Sequence, residues 1–372
     1  MGFRPWLWGL LPDNAKVLER WSRQFQVSAR SPFDLLGSPI GHDCAGAVQF
    51  VRDDRLADLL EGSGHVDWLS EDGVADRIRL LKEDSTSWLG DGNPGPFSLA
   101  GAQAKTALRF QDGRWGVPHG PIPTTHILKP AIPGLDDQEL NEHLCLAGAR
   151  NAGLVAARSA IWTFGDQVAI VVERYDRVPP AYFDRVHQED LCQALGYPPE
   201  RKYESEGGPR ARQIVDLLRR VVAPSVAERE IWRFASALGW NWIIGGTDAH
   251  AKNFSLLLSG PQVRLAPLYD LSSALPYYHE KESRFAMSLA GDYRVWIRVN
   301  RWPEVAKLIG LDGERLCDLL RNLAERAPDA LRDAAAHPQV ASLGRALTAR
   351  LVDRIATRSR RCLAALHAKV SR

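Results

Sequence analysis

The pattern of apolar residues changes once along the chain, near residue 176, and this change constrains the fold more than any other feature. Before it, "KTALRF" and "RWGVP" flank a "QDG" turn, and "SAIWTFGDQVAIVVERYDR" turns at Gly165-Asp166, so both stretches predict β-hairpins. "THILKP" predicts a strand that stops at Pro130, and residues 136–153 predict a helix opened by acidic residues. Residues 1–176 therefore predict a lobe with a mixed β-sheet.

After residue 176 the periodicity is helical. The interruption "NFSLLLSGPQVRLAPLYDL" contains two short β-like runs, and "KYESEGGPR" predicts a mobile or ligand-facing loop.

Over the whole chain, the remaining helices are predicted for 14–29, 53–62, 67–84, 187–196, 209–222, 225–245, 302–310, 313–325 and 340–369. A chain of 372 residues suits two lobes, so the predicted fold class is α+β, with lobes over 1–176 and 177–372.

Composition excludes several classes of protein. The content of 45% apolar and 25% charged residues is typical of soluble proteins, and a formal charge of +2 gives no overall attraction to nucleic acid or membranes. The sequence contains no run of about eighteen apolar residues, so it predicts no membrane-spanning helix. The five cysteines are far apart and lack a C-x-x-C pair, which favours reduced thiols in a cytoplasmic protein over disulfides or a structural zinc site.

The densest group of polar residues is "GGTDAHAKNF", which directly follows the apolar run "WNWII". Asp248 and Asn253 have the D-x-x-x-x-N spacing of a protein-kinase catalytic loop, which places the base and a metal-binding asparagine. Two β-like runs and "LYDL" follow, so Asp270 stands where kinases place the aspartate that binds magnesium. Carboxylate and amide oxygens suit this hard cation. The set predicts phosphoryl transfer.

A metal hydrolase is the competing interpretation. Asp248, His250 and Asp270 could ligate a divalent metal, with His279 nearby, but the ten histidines are dispersed, whereas such enzymes usually hold several in close motifs. A buried histidine beside the loop is the simpler role for His250. The chain has no G-x-S-x-G motif to support a nucleophilic triad.

The remaining elements of a kinase site occur upstream, in the expected order. Lys129 ends the strand "HILK", and Glu142 follows on the acidic helix, within reach of that lysine. The loop "SLAGAQAKTA" has one central glycine in place of G-x-G-x-x-G, so its backbone offers fewer amides to a phosphate. Glu173 and Tyr175 end a strand where kinases place the hinge that meets adenine. Taken singly, each residue also has an ordinary structural role.

Seven ordered blocks, with "LLPDN" and "DCAGAVQF" before them, resemble the HipA family of serine/threonine kinases, the toxins of bacterial toxin–antitoxin modules. The blocks are "FSLAGAQAKTAL", "THILKP", "VERYDR", "HQEDLCQALG", "KYESEGGP", "GGTDAHAKNFS" and "LAPLYDLSSA". The resemblance implies a two-lobed, protein-kinase-like fold that uses ATP and Mg²⁺. It also implies phosphorylation of a serine in a translation protein such as an aminoacyl-tRNA synthetase.

The resemblance assigns roles to individual residues. It implies that Asp248 is the catalytic base and that Ser98 is a site of inhibitory autophosphorylation, where phosphate would eject the adjacent loop. The implied ATP-binding residues are Lys129, Glu173, Tyr175, Ala100, Gly101, Ala102, Gln103 and His250. The implied magnesium ligands are Asn253 and Asp270, with Glu142 and Lys252 as supporting residues.

Two departures from the family pattern bear on regulation and partners. Ala104 stands where family members usually carry Glu, which removes an ionic contact from the loop. Family members also begin with a small β-rich subdomain before "LLPDN", so we expect either a late start or a split, HipT-like arrangement. In the split arrangement a separate small protein would dock near residues 1–50 and cover Trp6, Leu7 and Trp8, which are expected to be exposed.

The resemblance implies an antitoxin as a further partner, and the expected type is a helix-turn-helix protein that would associate the toxin with DNA. Two other functions stay open at this point. One is a kinase fold with little activity that serves as a DNA-bound corepressor or binding module, although inactive relatives usually lose one of Lys129, Asp248, Asn253 and Asp270. The other is a small-molecule kinase of the same architecture.

Overall fold

The computed structural model describes residues 3–62, 64–90, 97–180, 182, 184–297 and 299–368. Its strands are β1 (Val66–Leu69), β2 (Thr106–Gln111), β3 (Arg114–Pro118), β4 (His126–Lys129), β5 (Ser159–Phe164), β6 (Gln167–Glu173), β7 (His187–Asp190), β8 (Ser255–Ser259), β9 (Gln262–Leu265), β10 (Arg284–Leu289) and β11 (Asp292–Arg294). Its α-helices are α1 (Phe3–Gly9), α2 (Ala15–Phe25), α3 (Pro32–Leu36), α4 (Leu56–Leu60), α5 (Glu71–Glu83), α6 (Gln138–Asn151), α7 (Leu191–Leu195), α8 (Ala211–Val221), α9 (Pro224–Ile244), α10 (Trp302–Ile309), α11 (Gly313–Ala336), α12 (Pro338–Ala341) and α13 (Ala346–His367).

The strands before residue 176 form one antiparallel sheet in the order β1-β3-β2-β4-β6-β5. Strand β6, which lies between β4 and β5, is covered on both faces, because its side chains alternate between two cores. Ala169 belongs to the core that contains Ile78 of α5, whereas Ile170 belongs to the core that contains Leu144 of α6. Lys129 lies opposite Ile170 at the end of β4, so the sheet places this lysine next to α6.

Helix α6 shares its core with the helices that follow residue 176. Leu144 belongs to the same buried cluster as Trp240 of α9, Leu320 of α11 and Leu351 of α13. A mixed sheet followed by a helical half agrees with the predicted α+β class. Packing is continuous across residue 176, however, and the boundary between the two lobes at that residue stays a prediction.

A three-stranded sheet, β7-β8-β9, lies within the helical half and frames the segment 245–255. The two β-like runs predicted around Gly260-Pro261 are the antiparallel strands β8 and β9. The predicted helix over 187–196 is wrong in its first half, because His187–Asp190 pairs with β8 as strand β7. Asp190 then caps the short helix α7 by accepting a hydrogen bond from the backbone N–H of Gln193.

Other element boundaries also differ from prediction. Residues 67–69 form strand β1, and the helix starts at Glu71 after the Ser70 N-cap, whereas one helix was predicted over 67–84. Helix α11 continues through Pro328 to Ala336, whereas it was predicted to end at residue 325. The β10–β11 hairpin carried no recognised signal. The predicted end of the last helix, residue 369, lies outside the described residues.

The expected exposure of Trp6, Leu7 and Trp8 is wrong. Leu7 is buried, and both tryptophans are partly buried against the N-terminal core. The indole Nε1 of Trp6 donates to Oε1 of Glu189 at 2.8 Å, which fixes α1 against the β7 strand. The apolar side chains of this helix therefore face inward. In the described part of the chain, no helix is both long enough and apolar enough to span a membrane.

Candidate active site

Lys129 lies at the centre of the candidate site. Its Nζ donates to Oε1 of Glu142 at 2.9 Å and to Oδ1 of Asp270 at 2.8 Å. Burial favours the neutral amine, but the two carboxylates, Asp270 first, raise the pKa of Lys129 above its ordinary value. The lysine therefore stays charged and joins α6 to the segment after β9.

Asp270 is held in an uncommon backbone conformation, with φ of 56°. Aspartate is one of the few residues other than glycine that tolerate this left-handed region. Burial opposes ionisation of Asp270, but the ammonium of Lys129 lowers the pKa of the carboxyl below its ordinary value. The adjacent Tyr269 donates from Oη to the backbone carbonyl of Lys252 at 2.7 Å, which ties this segment to the predicted catalytic loop.

The catalytic loop begins where α9 ends at Gly245, a residue with φ of 67° that leaves the helix in the left-handed conformation. Asp248 follows, and its carboxylate is 63% exposed toward the cavity. The amide Nδ2 of Asn253 donates to the backbone carbonyl of Asp248 at 2.8 Å. Because the nitrogen is used in this way, the amide oxygen of Asn253 is the atom suited to a metal ion.

His250 and Tyr203 surround the Asp248 carboxylate. Tyr203 donates from Oη to Oδ1 of Asp248 at 2.8 Å, and its ring meets the His250 ring edge-on at 5.0 Å. Burial lowers the pKa of His250, so its imidazole is neutral near pH 7. Its Nδ1 has no hydrogen-bond partner among the described residues. Tyr203 was not predicted from the sequence as a site residue, although its loop was expected to face a ligand.

Lys252 pairs with Asp13 of the N-terminal segment. Asp13 binds Lys252 through Oδ1 and Lys202 through Oδ2, the latter at 3.1 Å. Its backbone N–H also donates to the carbonyl of Gly101 at 3.0 Å. One residue of the N-terminal segment thus contacts both the catalytic loop and the loop 100–103. Asp13 was not predicted as a site residue, although it stands within "LLPDN" and directly precedes the Asn14 helix cap.

The loop 100–103 lies over the end of β4. Gly101 has φ of 104°, and Gln103 donates from Nε2 to the carbonyl of Pro130 at 3.2 Å. Nζ of Lys105 donates to the carbonyl of Ala100 at 2.6 Å. Burial, followed by the charge of Lys129, lowers the pKa of Lys105 to about 7. Lys105 was not predicted as a site residue, although it stands within the "GAQAKTAL" block.

The predicted hinge uses its side chains for contacts within the protein. Oε1 of Glu173 accepts a hydrogen bond from Tyr182 at 2.9 Å, and Oη of Tyr175 donates to Gln188 at 2.5 Å. Arg174 between them is buried against Asp43 and Asp176. The backbone N–H groups of Glu173 and Arg174 donate to the carbonyls of Arg158 and Thr125 at 2.9 Å. Among the described residues the N–H of Tyr175 has no backbone partner, so it is the hinge donor suited to contact a planar base.

A cavity of about 640 Å³ brings these groups together. Its lining includes Lys129, Glu142, Glu173, Tyr175, Ala100, Gly101, Ala102, Gln103, Asp248, His250, Lys252, Asn253 and Asp270. His279, which the metal-hydrolase interpretation offered as a nearby additional ligand, is not part of this lining. Asp248, His250 and Asp270 form no metal-ligand cluster in the described ranges. The contacts of Lys129 with Glu142 and Asp270 are those of a phosphate-binding lysine, and they favour phosphoryl transfer over metal-dependent hydrolysis.

Ser98 lies beneath the cavity lining. It is completely buried, and its Oγ donates to the carbonyl of Leu10 at 2.8 Å. Its backbone N–H donates to the carbonyl of Asp43 at 3.0 Å. In this conformation its hydroxyl oxygen cannot reach a γ-phosphorus to attack it.

Known proteins resemble the chain over nearly its full length. Residues 97–331 match the model of the HipA-like C-terminal domain, and residues 1–51 match that of the HipA N-terminal domain. The chain is 36% identical over 344 residues to "Putative kinase Y4mE" of Sinorhizobium fredii, with 89% of this chain and 79% of that protein covered. It is 29% identical over 343 residues to the serine/threonine-protein kinase toxin HipA of Shewanella oneidensis, with 87% and 75% covered.

A solved structure of the Shewanella oneidensis toxin–antitoxin system, containing HipA, HipB and their operator DNA, has the same fold. The superposition gives a TM-score of 0.81 at 27% identity and covers 98% of this chain and 86% of that chain.

Proposed function

The chain belongs to the HipA family, and from this premise we propose that it is a serine/threonine-protein kinase acting as the toxin of a toxin–antitoxin pair. One observation carries the proposal. Lys129, held between Glu142 and Asp270, shares a single cavity with Asp248 and Asn253. These are the lysine, acid, base and two metal ligands that phosphoryl transfer from ATP requires.

The charges of the cavity support ATP as the phosphoryl donor. Lys129 and Lys105 supply cations for the phosphates, and the backbone of residues 173–175 would meet the adenine. The carboxylate of Asp270 and the amide oxygen of Asn253 are hard oxygen ligands of the kind that suit Mg²⁺. Bound Mg²⁺ would offset the negative charge of the phosphates during transfer. We assign His250 to the ATP-binding side of the loop because its neutral ring retains a free Nδ1.

Asp248 is the proposed general base. Its exposed carboxylate would accept the proton of a substrate serine as the serine oxygen forms its bond to the γ-phosphorus and the bond to the ADP oxygen breaks. Tyr203, which donates to one carboxylate oxygen, would orient the other toward the substrate. The side chain of Asp248 is open on the substrate side, as a protein substrate requires.

Substitution Asp248→Ala tests the proposal. We expect transfer of labelled γ-phosphate to protein to fall by about 100- to 10,000-fold, the usual contribution of a positioned base. Glu206→Ala, which removes an exposed acid of the neighbouring loop, should leave transfer unchanged. Equal activity in Asp248→Ala and the parent would exclude Asp248 as the base. Label in a small metabolite in place of protein would identify a small-molecule kinase.

The proposed partners follow from the family. We propose a serine of an aminoacyl-tRNA synthetase as the substrate and a helix-turn-helix antitoxin as the partner that links the chain to DNA. The solved complex of Shewanella oneidensis HipA with HipB and operator DNA supports the antitoxin and the DNA association. A separate small protein that docks near residues 1–50 stays a prediction, although it can no longer rest on exposure of Leu7.

We also propose that Ser98 is autophosphorylated and that this inactivates the enzyme. A phosphate carries about −1.5 to −2 charges and cannot occupy the fully enclosed position of this hydroxyl. The modified segment must therefore leave its contacts with Leu10 and Asp43. Because residues 100–103 follow directly, its departure would withdraw the loop that covers the phosphates.

Incubation with Mg²⁺ and ATP should place phosphate on Ser98 and should also make the bond after Lys105 accessible to trypsin. Phosphopeptide mapping and limited proteolysis measure the two effects. Ser98→Ala should keep kinase activity and remain uncut at Lys105. Phosphate found only at other residues would contradict the proposal, and a cleavage unchanged by phosphate would contradict withdrawal of the loop.

A further inference from the structure

A second group of ligand side chains lies outside the cavity, at the edge of the six-stranded sheet. His65 immediately precedes β1, Asp67 lies within it, and His119 immediately follows β3. The backbone N–H of His119 donates to the carbonyl of His65 at 2.9 Å, so the two histidines lie opposite each other on paired strands. Asp67 is two residues beyond His65 and shares its face of the strand. Strand pairing therefore presents three ligand groups together.

The distances between these groups match a metal site. Nε2 of His119 is 3.0 Å from Oδ2 of Asp67, and Nε2 of His65 is 3.6 Å from Oδ1 of the same carboxylate. All three ligand atoms lie within 4.8 Å of one another. Neighbouring ligand atoms of a tetrahedral zinc ion, with bonds of about 2.0–2.1 Å, are about 3.3 Å apart. The widest separation exceeds this value by up to about 1.5 Å, and rotation of the exposed His65 side chain would bring the two histidines and the carboxylate around one ion.

The donor types of the group also suit a metal. The two imidazole rings stack at 4.6 Å with an angle of 15° between their planes, which holds them side by side next to the Asp67 carboxylate. Imidazole nitrogens and one carboxylate oxygen are donors for a borderline divalent ion such as Zn²⁺, whereas Mg²⁺ prefers oxygen ligands.

We propose that His65, Asp67 and His119 form a zinc site. The His65 side chain is 69% exposed, so the fourth coordination position faces solvent, where water or an external ligand would complete the tetrahedron. The ion would clip β1, a four-residue edge strand, to the end of β3. The site is separate from the cavity and does not depend on the proposed kinase activity.

Calorimetric titration of the full chain with Zn²⁺ alone tests this site. The protein should carry no affinity tag and should first be treated with a chelator. We expect one zinc ion per chain that survives an excess of Mg²⁺, and a rise in Tm with zinc concentration. His65→Ala and Asp67→Asn should each weaken binding by more than the 10- to 100-fold typical for loss of an outer-shell partner. His367→Ala removes an exposed histidine of α13 and should bind zinc as the parent does.

Co²⁺ provides a second readout that identifies the geometry. A tetrahedral site gives an intense visible absorption band, which should be present in the parent and in His367→Ala and absent from His65→Ala. Because His65 is exposed, its replacement should leave the unfolding transition of the metal-free protein unchanged, so a loss of binding cannot be attributed to misfolding. Absence of zinc binding in the parent, or equal zinc affinity in the parent, His65→Ala and Asp67→Asn, would overturn the proposal.

Discussion

At the scale of single residues, the candidate site sets the charge of two lysines in opposite ways. Lys129 has two carboxylate partners at hydrogen-bond distance, which keep its ammonium charged although it is buried. Lys105 is equally enclosed, but its Nζ donates to a backbone carbonyl, and burial lowers its pKa to about 7. An anionic ligand would supply Lys105 with the negative charge that it lacks, and this makes its protonation a measure of phosphate binding.

ATP binding at pH 8 should therefore take up close to one proton. In the free protein at this pH Lys105 is mostly neutral, because the pH lies above its pKa of about 7. The negative charge of the phosphates favours the ammonium form of Lys105 and raises its pKa, so ATP binding takes up a proton. The uptake should be smaller at pH 6, where the lysine is already charged. Calorimetry in two buffers with different ionisation enthalpies measures the uptake. Lys105→Met should abolish the proton uptake, whereas Lys307→Met, at an exposed site on α10, should leave it unchanged. Proton release by the parent on ATP binding would contradict a phosphate-binding role for Lys105.

At the scale of elements, the segment between α1 and α2 contacts both the loop 100–103 and the predicted catalytic loop. The carbonyl of Leu10 accepts the Ser98 hydroxyl, and Asp13 contacts Gly101 through its backbone and Lys252 through its carboxylate. Although burial opposes ionisation, Lys252 and Lys202 lower the pKa of Asp13, so the carboxylate is charged at neutral pH. The loop 100–103 and the predicted catalytic loop are thus connected through a third element.

Asp13→Asn should uncouple these loops. Loss of the carboxylate leaves the buried Lys252 without its ionic partner, a change that typically costs about 3–5 kcal/mol of stability. Beyond this loss, we expect the KM for ATP to rise and amide hydrogen exchange to increase in residues 99–103. Asp54→Asn replaces an exposed acid of the same region and should change neither quantity. Normal KM and normal exchange in a destabilised Asp13→Asn protein would limit Asp13 to a structural role.

At the scale of the whole molecule, a buried ionic network joins the N-terminal segment to the hinge. Asp43 accepts hydrogen bonds from Arg174 at 3.0 Å, Arg177 at 2.7 Å and the Thr124 hydroxyl at 2.6 Å. Burial opposes ionisation of Asp43, but Arg174, Arg177 and Arg185 lower its pKa below the ordinary value. The network links segments that lie far apart in the sequence, so it contributes only in the complete fold.

Asp43→Asn should lower the free energy of unfolding by about 3–5 kcal/mol at pH 7, because it leaves the buried Arg174 and Arg177 with Asp176 as their remaining carboxylate partner. The folded pKa of Asp43 lies below its unfolded value, so its contribution is present above about pH 4 and is lost as pH falls through the folded pKa. The stability difference between parent and variant should therefore shrink in acid. Denaturant unfolding at pH 7 and pH 3 measures it, with Asp53→Asn as an exposed control. A difference independent of pH would rule out this ionic contribution.

Much of this architecture was predictable from local sequence. The "QDG" turn between "KTALRF" and "RWGVP" predicted β2 and β3, and "THILKP" with its stop at Pro130 predicted β4. The D-x-x-x-x-N spacing identified the loop that lines the cavity with Lys129. The seven sequence blocks indicated membership of the HipA family, and the family matches confirm it. Family membership in turn implied an α+β, protein-kinase-like fold, which the structural match confirms. These features depend on strand alternation, helix periodicity and short fixed spacings, all of which are properties of neighbouring residues.

The sequence by itself thus determined many of the elements, the family and the order of the candidate site residues along the chain. Only the tertiary structure decided that Asp13 and Tyr203 reach the catalytic loop, that Leu7 is buried, and that His187–Asp190 is a strand. Burial and charge pairing depend on which distant segments pack together, and β7 forms because β8, more than sixty residues later, supplies its hydrogen bonds. Such contacts have no signature in a short window of sequence.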